Sequence, residues 1–109
     1  MAETYKILGQ ADPLAATPTD LYVVPGATSA VISSIIACNR GSATIQIRIW
    51  GAIAGIATAN KQYWFFDLAV LKRSSLPIVL GVTLAATDVI RVQTDIATAS
   101  FNVFGAEIT

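Results

Sequence analysis

The chain has 109 residues, of which 54% are hydrophobic and only 13% are charged. Seven basic and seven acidic residues give a formal net charge of zero, which argues against binding to nucleic acid or to a membrane surface, since both need a basic patch. A domain of this size cannot bury so much apolar sequence in its own core, so we expect an interface with further copies or a partner.

The first 18 residues are predicted to form an extended arm, and residues 19–109 a single β domain. Gly9 and Pro13 interrupt regular structure in the arm, and only residues 5–8 have a strand-like pattern. An arm of this kind lies outside the domain, so we expect that its deletion leaves the fold intact.

Neither a secretory leader nor a membrane span is predicted. Glu3 and Asp12 stand where a signal peptide needs a basic segment followed by an apolar one. Arg48 and Lys61 bracket an apolar stretch that is too short to cross a bilayer. The single cysteine cannot form an internal disulfide, which fits a reducing compartment, so we expect the chain to be made in the cytoplasm.

The remaining chain predicts seven or eight short strands and no helix of note. Residues 43–50 alternate most strictly, with isoleucines at 45, 47 and 49 on one face and Gln46, Arg48 and Trp50 on the other. Pro25-Gly26 is typical of a chain reversal. Turn signals recur about every ten residues, which predicts an all-β antiparallel sandwich or jelly roll. The other predicted strands are residues 21–24, 29–39, 62–70, 77–80, 82–84, 89–93 and 98–108.

Residues 39–42 are predicted to be the turn of a β-hairpin, with Asn39 and Gly41 at positive φ. Cys38 precedes this turn, and Arg40 beside it could favour a reactive thiolate. Strand periodicity instead places Cys38 in register with Ile32, so we expect a small apolar core residue. Arg40 at the hairpin tip remains a candidate contact to a neighbouring subunit.

Catalysis is not predicted. The chain has no histidine, which removes the nucleophile systems and metal sites that depend on an imidazole. Asp20, Asp67, Asp88 and Asp95 could pair as an acid and a base or bind calcium, but each lies at a strand edge, where turn hydrogen bonding explains it. We therefore expect no enzyme, no cofactor and no metal site.

Four consecutive aromatic residues, Tyr63 to Phe66, form the most conspicuous surface candidate. Strict alternation would put Tyr63 and Phe65 on one face and Trp64 and Phe66 on the other. One pair then belongs to the core, and the other to a subunit interface or, as an alternative, to a sugar-binding platform. The last predicted strand likewise turns Phe104 away from the face that carries Phe101.

Over nearly its whole length the sequence resembles a family of small virion structural proteins of tailed bacteriophages. The likeness lies in strand and turn motifs: "YKILGQ" (residues 5–10), "TDLYVVPGATSAVISSIIACNRG" (19–41), "GVTLAATDVIRV" (81–92) and "FNVFGAEI" (101–108). The resemblance implies a β-sandwich protein that is present in many copies on the virion, on the capsid or on the tail.

Together, these observations predict a capsid decoration or cement protein that binds across junctions of the major capsid protein. A homo-oligomer is expected, with a trimer favoured, and the localisation is the virion, after synthesis in the host cytoplasm. The alternative is a tail, baseplate or fibre component, and one version of it contacts host glycans. The candidate interface residues are Tyr5, Leu8, Arg40, Trp50, Tyr63, Trp64, Phe66 and Phe104.

Overall fold

The computed structural model describes residues 2–109 and consists of eight strands in two antiparallel four-stranded sheets. This confirms the predicted all-β antiparallel sandwich. Two short 3-10 helices, Ile53–Gly55 and Asn60–Gln62, lie in the connection between the fourth and fifth strands. The strands are β1 (Glu3–Ala11), β2 (Thr19–Val23), β3 (Ser29–Asn39), β4 (Ile45–Ala52), β5 (Tyr63–Val70), β6 (Ser75–Leu84), β7 (Val89–Thr94) and β8 (Ala99–Ile108).

Most connections in the chain lead from one sheet to the other. Sheet A has the strand order β1-β8-β3-β6, and sheet B has the order β2-β7-β4-β5. Only β4 and β5 are both consecutive in the chain and paired with each other. The two sheets therefore interleave along the sequence, and neither is built from a local run of hairpins.

The core lies between the two sheets and is filled by alternate residues of the central strands. In β4, Ile45, Ile47 and Ile49 are fully buried, as their alternation predicts. Sheet A contributes Ile35 and Phe101, which are also fully buried, to the same cluster. Isoleucine and valine dominate because branched side chains fit the pleated surface of a strand.

The connection after β3 is not the predicted hairpin. β3 pairs with β6 and β8 in sheet A, whereas β4 belongs to sheet B. Residues 40–44 therefore carry the chain across the end of the sandwich. Neither Asn39 nor Gly41 adopts the predicted positive φ, because a connection between sheets does not need the tight reversal of a two-residue hairpin.

The predicted arm is extended, but much of it belongs to the sandwich. β1 pairs antiparallel with β8 from Glu3 to Ala11 and forms an edge of sheet A. The following segment touches sheet B, where the Ala16 N–H donates to the Thr94 carbonyl at 2.7 Å. Backbone hydrogen bonds hold this segment on the domain.

Cys38 is not the core residue that strand periodicity predicts. The pairing of β3 shifts register between Ile32 and Ser34, and one extra residue reverses the faces of all later positions. Ile32 therefore faces the core, while Ser34, Ile36 and Cys38 alternate with the buried positions and are half-buried. Cys38 lies on the outer face of sheet A.

Candidate functional site

The acidic residues that could have formed a catalytic or calcium site are held separately. Asp88 accepts hydrogen bonds from the Ala54 and Ala85 N–H groups at 3.0 and 2.9 Å. Asp95 accepts one from the Gln46 N–H at 2.9 Å. Within residues 2–109, no three Cys, Asp or Glu side chains gather where they could hold a metal ion. In the same range, no helix is long and apolar enough to span a membrane.

The outer face of sheet B carries an aromatic cluster, which we define as Arg48, Trp50, Tyr63 and Phe66. The Tyr63 ring lies 5.1 Å from the Trp50 ring and 4.9 Å from the Phe66 ring, between centroids. The Arg48 guanidinium lies 4.0 Å above the centre of the Phe66 ring. Its Nε also donates to Asp67 Oδ1 at 2.7 Å, and this hydrogen bond raises the pKa of Arg48. Phe66 is 56% exposed and is therefore the accessible part of the cluster.

The faces predicted for the four aromatic residues are wrong. Tyr63 and Phe66 lie together, whereas Trp64 and Phe65 pack against the core cluster. Two register shifts in the β4–β5 pairing cause this, since Trp50 pairs with Tyr63 but the adjacent Ile49 pairs with Phe65. Each bulge inserts a residue and exchanges the faces.

Trp50 is fully buried, although it faces away from the core. Residues 53–62 fold back next to it, and its Nε1–H donates to Thr58 Oγ1 at 3.2 Å. The backbone of this loop is tied to sheet B by Arg91, which donates to the Gly55 and Ile56 carbonyls at 3.0 and 2.8 Å. Trp50 therefore packs against the loop, and its side chain is not accessible to a partner.

A pocket of about 450 Å³ opens between this loop and the edge of sheet A. We call it the Trp64 pocket. Its charged lining residues are Lys61 and Asp88, and Ile53 beside them is 74% exposed. The apolar lining consists of Ala52, Ile53, Ile56, Trp64, Val82 and Leu84.

The outer face of sheet A is a second apolar surface. Tyr5 is 76% exposed and Val79 is 86% exposed, at opposite edges of the sheet. Ile7 and Val31 are exposed, and Phe104 is half-buried between them. Apart from Glu3, the outward-facing residues in the described strands of sheet A are all apolar or uncharged polar residues. This departs from the usual antiparallel sheet, whose solvent face is polar.

A charged residue stands at each end of that face. At one end, the Tyr5 hydroxyl donates to Glu3 Oε2 at 2.7 Å, and this hydrogen bond raises the pKa of Tyr5. At the other end, Arg40 Nε donates to Ser100 Oγ at 2.9 Å. The two charges are opposite in sign and separated by the length of the strands.

The structure distributes the predicted interface residues over three surfaces and the interior. Ile7, Val31 and Val79 were not predicted as interface residues, although Ile7 lies two residues after Tyr5 and therefore on the same face of the strand. Leu8 packs against the core, and Trp50 is buried. Of the others, Tyr5, Arg40 and Phe104 belong to the outer face of sheet A, and Tyr63, Trp64 and Phe66 belong to the aromatic cluster or the Trp64 pocket.

No protein-family model matches the chain, and no curated protein sequence matches it. Among solved structures, two crystal structures of a pentameric capsid protein isolated from metagenomic phage sequences are similar to it. Both are 18% identical in sequence, with TM-scores of 0.36 and 0.38. The match covers 95% of this chain and 63% of theirs, so the chain spans less than two thirds of those proteins. These values describe a distant likeness.

Proposed function

We propose that this chain is a structural protein of a tailed-phage virion and that it cements the capsid shell by binding across junctions of the major capsid protein. The observation that carries the proposal is a pair of separate apolar surfaces on one small domain. The outer face of sheet A is one, and the Trp64 pocket with the exposed Ile53 is the other. A subunit with two such surfaces can join two neighbours.

The strand orders support a finer description of the sandwich, the jelly roll. The orders β1-β8-β3-β6 and β2-β7-β4-β5 agree with an eight-stranded jelly roll, an architecture of viral capsid domains and of lectins. Because a fold does not determine a function, this architecture fits both a coat role and a sugar-binding role. The apolar character of the exposed surfaces favours the coat role.

The proposed mechanism is burial of apolar area without chemistry. At about 25 cal/mol per Å², about 300 Å² of apolar burial contributes about 7 kcal/mol before the cost of association. Many copies on one shell multiply this contribution, so that more contacts must break before the shell opens. The proposed partners are the major capsid protein and further copies of the chain. The trimer remains a prediction from the sequence.

Binding to undecorated shells tests the proposal. Purified protein is mixed with shells that lack it, and the fraction that sediments with the shells is measured. Ile53→Asp places a charge on the Trp64 pocket surface, so we expect at least about a tenfold loss of binding. Leu71→Asp is the matched control, since Leu71 is also an exposed large apolar residue, in the β5–β6 turn.

Two outcomes would contradict different parts of this proposal. If the wild-type protein does not sediment with shells, the cement function is wrong. If wild-type protein binds and Ile53→Asp binds equally well, the shell contact lies elsewhere on the molecule.

A tail, baseplate or fibre component is the second candidate, because half-buried Trp64 lines a pocket together with Lys61 and Asp88. An aromatic ring beside polar groups can stack on a sugar. Electron microscopy of labelled virions locates the protein, and label on the tail would support this candidate. Glycan-array binding that disappears in Trp64→Ala would support its receptor version.

A further inference from the structure

We propose that the outer face of sheet A binds the same face of a second copy of this chain, through a two-fold axis that runs across the strands. The inference rests on the proposed function, since a virion protein is present in many copies. It names the partner of one of the two apolar surfaces and the geometry of the contact.

The centre of the face is a row of neighbours on all four strands. The strand register places Ile7 beside Phe104, Phe104 beside Ser34 and Ser34 beside Val79. Ser34 is the middle residue of β3. Three of the four positions in the central row are therefore large and apolar, where a buried interface has its apolar core.

The charges lie symmetrically about this row. Glu3 is aligned, through Ile108, with Ser29 at the start of β3, and Arg40 follows Asn39 at its end. Ser29 and Asn39 each lie five positions from Ser34. Glu3 and Arg40 are thus at similar distances from the central row, on opposite sides of it.

This arrangement selects one of the two symmetric ways to pair the faces. A two-fold axis along the strands would put the two Arg40 residues at one end of the pair and the two Glu3 residues at the other. An axis across the strands, through the central row, reverses the strand direction and puts Arg40 of each copy at the same end of the pair as Glu3 of the other. Arg40 follows β3 and Glu3 is on β1, two strands away, which is about 10 Å. Opposite charges attract and like charges at an interface are costly, so the second pairing is favoured.

The face is large enough for a stable dimer. Four strands about 4.8 Å apart and about ten residues long at about 3.4 Å each cover about 650 Å². Two copies would bury about 1,300 Å² in total, which lies in the range of specific protein interfaces. Sheets that pack face to face keep their strands within about 30° of each other, so Arg40 of one copy and Glu3 of the other stay at the same end of the pair.

The mass of the protein in solution gives the first test. Sedimentation velocity of the wild-type chain should show an even number of copies at micromolar concentration. Val79→Asp, at an exposed position on the proposed axis, places two carboxylates together and should give half the mass. Val23→Asp is the matched control, because Val23 is an exposed valine on sheet B and should leave the mass unchanged.

Two further variants test the direction of the axis. Val79→Cys, in a Cys38→Ser background, should form a disulfide-linked dimer on oxidation, because Val79 faces its own copy at the axis. Arg40→Glu should weaken the dimer by about threefold, and the double variant with Glu3→Arg should restore it.

Specific results would overturn the pairing. A wild-type monomer at about 100 μM or a trimer excludes it, and charge variants without rescue exclude the axis across the strands. Shell binding is measured independently of these experiments. A chain that binds shells as a monomer or trimer would therefore keep the proposed function and lose this inference.

Discussion

Asn39 connects three loops at one end of the sandwich. Its side chain is buried, and its Oδ1 accepts hydrogen bonds from the Gly41 N–H and the Thr98 hydroxyl, both at 2.9 Å. These contacts hold the β3–β4 and β7–β8 connections. Its Nδ2 donates to main-chain carbonyls of the β3–β4 connection and of the end of β5: those of Ala43, Val70 and Leu71, at 2.8, 3.1 and 3.3 Å.

Asn39→Asp tests this connection. The substitution replaces the amide donor by an oxygen that faces the same carbonyls, so buried acceptors lose their partner. We expect the free energy of unfolding to fall by about 3 kcal/mol or more, measured by urea denaturation. Asn60→Asp, at an exposed position, should change it by less than about 0.5 kcal/mol. Equal effects of the two variants would contradict the role of Asn39.

Gly105 is required for close approach of the backbones of β8 and β3. A Cβ atom at this position would lie 2.1 Å from the Val31 carbonyl oxygen, whereas one at Gly81 would have nothing within 4 Å. The obstacle is main chain and cannot rotate away. We expect Gly105→Ala to lower the melting temperature strongly or to prevent folding, and Gly81→Ala to change it little, by differential scanning calorimetry. A Gly105→Ala melt equal to that of Gly81→Ala would contradict this close approach.

At the scale of elements, the sequence predicts the strands better than their partners. Alternation at residues 45–50 predicts both the strand and its buried face, because this signal lies within the segment. Residues 39–42 contain asparagine and glycine, which occur in hairpin turns and in longer connections alike. Whether β4 turns back onto β3 or crosses to the other sheet depends on distant strands, which the local sequence does not encode.

Bulges limited the prediction of the candidate site. One inserted residue near Ser33 moves Cys38 to the outer face, and two in the β4–β5 pairing place Phe66 beside Tyr63. Gly81 and Gly105 lie opposite the bulge near Ser33, but a glycine within a strand also occurs where two backbones approach closely, so the sequence does not show which strand bulges. Tyr5 and Phe104 were predicted surface residues, while Val79 was missed because β6 was interpreted as two short pieces around Gly81.

The role of β1 leads to a prediction about truncation. β1 supplies one edge of sheet A, and its loss would leave the N–H and carbonyl groups of β8 without partners along eight paired positions. We expect a chain that begins at residue 12 to lose at least about 3 kcal/mol of folding free energy, measured by urea denaturation. A chain that begins at Glu3 is the control. Unchanged stability of the shorter chain would support the detached arm predicted from the sequence.

At the scale of the whole molecule, a contact between the side chains of Tyr22 and Glu107 joins the two sheets. The Tyr22 hydroxyl of β2 donates to Glu107 Oε2 of β8 at 2.6 Å, and Lys6 Nζ lies 2.8 Å from Glu107 Oε1. The hydrogen bonds from Lys6 and Tyr22 lower the pKa of Glu107. Burial, and then the contact with Glu107, raises the pKa of Tyr22. The ionised Glu107 therefore stabilises the packing of sheet A against sheet B.

The pH dependence of stability follows from the lowered pKa of Glu107. A carboxyl group with a lower pKa in the folded chain stabilises it above the ordinary value of 4.5, and this contribution is lost as the pH falls through the folded-state value. Glu107→Gln should be less stable than wild type at pH 7, and the two should converge as the pH falls below the ordinary carboxyl value, measured by urea denaturation at each pH. Tyr22→Phe removes one of the two donors to Glu107, so its pH slope should lie between the other two. A Glu107→Gln curve parallel to that of wild type would show that other carboxylates set the acid sensitivity of the fold.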